Sequence, residues 1–124
     1  MAAILHDRVF DNGLTVLDTE ADKLYITSSQ ATTYTEAITT YALGAKNTPT
    51  VSAPADRTGG GREVTVSAIS DGSVTGTGTA GFYALVDSSN SRLLASNALD
   101  TTQSVTSGNT FTLTSFKIGF PDPA

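Results

Sequence analysis

The chain has 124 residues, a formal net charge of −5 and no cysteine. That length suits one domain, and the missing thiols exclude disulfides, thiolate zinc sites and cysteine nucleophiles. The basic residues Arg8, Lys23, Lys46, Arg57, Arg62, Arg92 and Lys117 are scattered, not gathered into the stripe that phosphate neutralisation needs, so no direct nucleic-acid binding is expected.

No apolar run approaches the roughly 20 residues of a membrane span, and no membrane contact is expected. The start, MAAILHDRVF, has no basic region ahead of its short apolar run, which argues against a signal peptide. Hydroxyls dominate, with 21 Thr and 13 Ser against 28 Leu, Ile, Val and Phe together, so the expected core is thin. The branched Cβ of Thr packs well on a pleated surface, and Ser and Gly favour turns. The expected product is an all-β domain.

Taken in order, residues 3–10 (AILHDRVF) and 14–17 (LTVL) flank Asp11-Asn12-Gly13, a strong hairpin signal because Asn and Gly tolerate positive φ. Residues 1–17 are therefore expected as an N-terminal arm or hairpin ahead of a β-domain over 18–120. Residues 18–23 (DTEADK) read as a polar turn and 24–27 (LYIT) as a strand. Residues 28–46 admit a short helix around Glu36, Ala37 and Ala42, but Thr32, Thr33, Thr35, Thr39 and Thr40 tip the reading toward strand. Residues 47–62, with Pro49, Pro54 and Gly59-Gly60-Gly61, read as a mobile loop.

Beyond the loop, Val64, Val66 and Ala68 alternate with Thr65 and Ser67 as in a half-buried strand over 63–69. Asp71-Gly72 and Gly108-Asn109 mark turns, and 82–86 (FYALV) with 92–95 (RLLA) read as a hairpin around 87–91. Near the end, Phe111 and Leu113 lie an odd number of residues from Phe116, Ile118 and Phe120. One continuous strand cannot bury both sets without a bulge or break at Ser115. Residues 121–124 (PDPA) form a tail, since proline cannot extend a ladder. Strands spaced by turn signals suggest a small β-sandwich or barrel of short antiparallel strands.

The chemistry is sparse. Residues 76–81 (GTGTAG) match G-x-G-x-x-G, with Asp100 at about the distance of a ribose-binding acid. A dinucleotide loop must open a helix, whereas this one leads into Phe82-Tyr83-Ala84-Leu85-Val86, so a glycine-rich turn or bulge is expected. Asp18-x-Glu20-x-Asp22 resembles the start of a calcium loop but has Lys23 where glycine is needed and Ser29 where the closing glutamate belongs. His6 is the sole histidine and has no nucleophile elbow to serve. Paired carboxylates for sugar hydrolysis need a cleft and one raised pKa, and the three glutamates, Glu20, Glu36 and Glu63, all sit in polar stretches or at strand starts. The chain is thus not expected to be an enzyme or to carry a cofactor or metal. Tyr25, Tyr34, Tyr41 and Tyr83 either cap a small core or make a receptor- or glycan-binding surface.

The segments MAAILHDRVFDNGLTVLDTEADKLYI, TTYTEAITTYALGAK, VTGTGTAGFYALVDSSNSRLLAS and VTSGNTFTL together resemble a small structural protein of tailed bacteriophages and prophages. The resemblance spans nearly the whole chain and rests most on GTA, an aromatic, ALVD, a polar turn and LLA. It implies a capsid decoration, or cement, protein on the exterior of the virion. The implied partners are the major capsid protein and further copies of itself, in a homotrimer by analogy. It brings no catalytic residues. Ala3, Ile4 and Leu5, followed by Arg8, are the expected shell-contact residues, adding a strand to an open edge of the shell. The alternative is a tail, baseplate or fibre component whose β-module binds a receptor or glycan through the tyrosines.

Overall fold

The computed structural model describes residues 4–5, 13–58 and 62–120. Ten strands appear in chain order: β1 (Ile4–Leu5), β2 (Lys23–Thr27), β3 (Ala42–Asn47), β4 (Ala55–Asp56), β5 (Arg62–Val66), β6 (Ile69–Val74), β7 (Gly78–Asp87), β8 (Arg92–Val105), β9 (Thr110–Leu113) and β10 (Phe116–Phe120). One short helix, α1 (Thr15–Glu20), and a π-type helical turn (Glu36–Thr40) complete the described residues. Among the described residues, strand outweighs helix 55% to 12%, which makes the fold all-β as the composition predicts.

A seven-stranded sheet runs in the order β1-β8-β7-β2-β3-β6-β9 and a three-stranded sheet in the order β10-β5-β4. Every pairing is antiparallel, and the sheets curl into a half-barrel. Its filling includes Leu24 and Ile26 of β2, Leu85 of β7, Leu94 of β8 and Phe111 of β9, with Val64 and Val66 of the small sheet.

The two sheets share one ribbon. β5 pairs with β10, with Val66 opposite Phe116, and β6 pairs with β9, with Ile69 opposite Leu113. The ribbon turns from one sheet to the other where 67–68 and 114–115 leave the ladder. The break that the phenylalanine spacing demands therefore exists, with Phe111, Leu113 and Ile118 all buried across it. The expected continuous strand over 63–69 is interrupted at the same corner: Val64 and Val66 are inside, Ala68 is exposed, and Ile69 restarts the inward face.

Four other expectations need correction. Residues 14–17 are not the second arm of a hairpin. Gly13 turns the chain at φ +70°, but Leu14, Val16 and Leu17 are all buried and belong to α1 and its approach. Adjacent Val16 and Leu17 would point to opposite faces of a strand; a helical turn buries both. The boundary drawn between 17 and 18 thus falls inside α1, and the helix takes in much of the polar turn expected at 18–23. Asp71-Gly72 is not a turn but part of β6, at a register irregularity opposite β9. Residues 28–46 are not one strand, since helical turns precede β3. Finally, the proline-rich segment 49–56 lies along β5. Val51 bridges to Val66, Ser52 exchanges hydrogen bonds with Thr65, and β4 pairs with β5. The glycine run at 59–61 and the tail at 121–124 lie outside the described residues.

Candidate functional site

The G-x-G-x-x-G segment leads into a strand and forms the glycine-rich bulge that the sequence suggests. Gly78 opens β7 rather than a helix. A bulge interrupts the β7–β8 ladder at Gly81: Ala80 pairs with Gln103 while Phe82 pairs with Ala98, so residues 99–102 of β8 stand opposite one glycine. The bulge also shifts the side-chain alternation by one, which lets both Ala80 and Tyr83 face the core. On the partner strand, the extra residues form a lip.

That lip bounds a cleft of about 260 Å³. Its floor is aromatic. Tyr83 and Phe116 pack with ring centroids 4.3 Å apart and planes tilted by 38°. Leu99 and Leu113 add apolar wall, and Asp100, Thr101, Thr112 and Thr114 add polar groups. Gln103 spans the seam between β8 and β9 by donating from Nε2 to the Thr112 carbonyl at 2.7 Å. Burial pushes the Tyr83 hydroxyl up to about 12, because a phenolate is costly in an apolar setting. Among the described residues, no Lys or Arg lines the cleft.

The other three candidate tyrosines lie elsewhere. Tyr25, Tyr34 and Tyr41 pack with Ile38 around a satellite core of Ala31, Ala37, Ala84, Val86 and Leu93. On β2, Tyr25 alternates with the core residues Leu24 and Ile26, so the satellite cluster covers the opposite face of the sheet. Two devices hold its covering segment. Ser96 donates from Oγ to the Ala31 carbonyl at 2.8 Å. The Glu36 N–H donates to Thr33 Oγ1 at 3.1 Å, and the Thr32 N–H and hydroxyl donate to Glu36 Oε1 at 2.9 and 2.8 Å. The Thr32 N–H, then its hydroxyl, hold the Glu36 carboxyl below its ordinary range. Thr33-x-x-Glu36 is a capping-box pattern that the count of threonines hid. The four tyrosines are thus two sites, not one surface.

Within the Asp18-x-Glu20-x-Asp22 stretch, Glu20 and Asp22 engage different partners. Glu20 lies 3.8 Å from the Arg92 guanidinium. Asp22 accepts the Ser88 N–H at 2.9 Å and the Ser88 hydroxyl, pinning the β7–β8 turn. Burial alone would raise the Asp22 carboxyl; the Ser88 hydrogen bonds, its own N–H and Lys23 together bring it below the ordinary value. Among the described residues, no group of three His, Asp or Glu side chains is placed to hold a metal. Four basic residues sit in separate ion pairs: Lys46 with Asp71, Arg62 with Asp56, Lys117 with Glu63, and Arg92 with Glu20 and Asp87.

Of the expected shell-contact residues, Ala3 and Arg8 lie outside the described set, as does His6. Ile4 and Leu5 form β1, opposite Ser96 and Ala95 of β8. Ile4–Leu5 thus forms an edge strand of the chain's own sheet.

The chain matches no family model, no curated protein and no solved structure. Among the described residues, no helix is long and apolar enough to cross a membrane.

Proposed function

We propose that the chain is a structural protein of a phage virion, a capsid decoration protein that binds the outside of the shell and stabilises it. The observation that carries this reading is β1. Ile4 and Leu5 pair antiparallel with β8 and form one edge of the seven-stranded sheet. Strand addition to an edge needs only such a segment, and its backbone bonds can be exchanged for equivalent ones on another protein's open strand. The hydroxyl-rich exterior suits a hydrated coat, and many copies on one shell let each contact be modest. The partner in this reading is the major capsid protein, and the assembly is a homotrimer at a threefold position.

The test is to mix purified protein with empty cognate shells, pellet them, and measure occupancy and melting temperature. Coating with a raised melting temperature is expected. Deletion of residues 1–9 abolishes coating while the domain keeps its circular dichroism. Shells that remain bare with the full chain defeat the proposal, and coating that survives the deletion removes the arm from it.

A further inference from the structure

We propose that the cleft between the β8 lip and the β9–β10 corner is a binding site for a neutral saccharide, taking one terminal pyranose ring. The proposal does not depend on the coat reading. It rests on the match between three features of the cleft and the chemistry of a sugar.

The first is the floor. Tyr83 and Phe116, with Leu99 and Leu113 beside them, give an apolar base. The C–H face of a pyranose is apolar enough to pack on aromatic carbon, while its hydroxyls need partners around the rim. The second is that rim. Asp100, Thr101, Thr112 and Thr114 lie in the lining at exposed positions, so polar residues border the apolar base. A carboxylate accepts from two hydroxyls at once, and threonine both donates and accepts, which suits a polyol. Gln103 is already anchored to the Thr112 carbonyl, which fixes its amide and leaves Oε1 as a further acceptor. The third is charge. Among the described residues the lining holds Asp100 and no Lys or Arg, a balance that disfavours phosphate, sulfate and carboxylate groups. Nucleotides and acidic sugars are disfavoured, and neutral ones are not.

The size sets the remaining limit. About 260 Å³ lies below the usual range for drug-sized ligands, so the cleft takes one ring, not a chain. The lip exists because residues 99–102 oppose only Gly81, so the site is built by the same bulge that turns Tyr83 inward.

The experiment is a two-dimensional amide NMR titration of the full chain with methyl glucoside, methyl galactoside and methyl mannoside, and with N-acetylneuraminic acid as the acidic comparator. At least one neutral glycoside is expected to shift amides of residues 98–103 and 112–116 saturably, in the millimolar range. The acidic sugar is expected to shift none of them. Asp100→Ala and Thr101→Val alter exposed side chains and preserve the fold; each weakens binding about tenfold. Ala98→Trp, also at an exposed position of the lining, blocks the cleft and abolishes binding with an unchanged melting curve. Absence of saturable shifts with all three neutral glycosides overturns the proposal. So do equal binding of the acidic sugar, or shifts confined to the Tyr25, Tyr34 and Tyr41 face.

Discussion

Phe111 lies across two strands that have no side chain at the point of contact. A Cβ added to Gly72 on β6 would fall 2.2 Å from the Phe111 ring, and one on Gly44 of β3 would fall 2.5 Å from the Ser73 carbonyl oxygen and 3.3 Å from the ring. The ring thus fills space that glycine leaves open in the middle of a sheet, compensating for the weakness of glycine in strands. Gly72→Ala is expected to cost about 1–3 kcal/mol through overpacking, measured by urea denaturation. Phe111→Leu in the Gly72→Ala background is expected to recover part of that loss, whereas the two changes would add if the sites were independent. In the sequence, Asp71-Gly72 looks like a turn because its neighbour in space, Phe111, lies far along the chain. Tyr83 makes a second prediction. Its hydroxyl is raised from an ordinary 10.0 to about 12, so the folded state favours the protonated phenol. That stabilisation is complete below the unfolded value and is lost as pH climbs through the folded one, about 2–3 kcal/mol in all. Tyr83→Phe is expected to remove that share of the alkaline loss in denaturation curves taken across pH 10–12.

At the scale of elements, what could be read from sequence was local. The β7–β8 hairpin declares itself through two apolar runs around Asp87-Ser88-Ser89-Asn90-Ser91, and the turn at Gly108 through a residue that takes φ +91°. The break near Ser115 follows from parity alone. The helical stretches escape this kind of reading. Val16 and Leu17 signal helix only once both are known to be buried, and the threonines before Tyr41 suggest strand until Thr33 is recognised as a cap. The candidate site was hidden for a stronger reason, since its two walls are assembled from residues 98–103 and 112–116, and nothing in either segment names the other. The covering segment over the satellite core gives a prediction of its own. Ser96→Ala leaves the buried Ala31 carbonyl without its donor and is expected to cost about 1–3 kcal/mol. Thr33→Ala removes a cap worth about 1 kcal/mol. In both variants hydrogen exchange should quicken in residues 31–41 before it does in β7. Uniform loss of protection across the chain would show that the segment is not a separate layer.

For the molecule as a whole, five of the eight strand pairings among the described residues join strands that are not consecutive in the chain. β2 sits between β3 and β7, and β6 between β3 and β9. Most contacts therefore close long loops before they are rewarded, which places folding in the millisecond-to-second range of sheet-rich domains. Stopped-flow refolding is the check, and a microsecond phase carrying the full amplitude would contradict it. The kinked ribbon of β5–β6 against β9–β10 carries a thermodynamic consequence. Because the same two stretches of chain are stitched into both sheets, neither sheet can melt while the other survives intact. Calorimetry should register a single cooperative event whose van't Hoff and calorimetric enthalpies coincide.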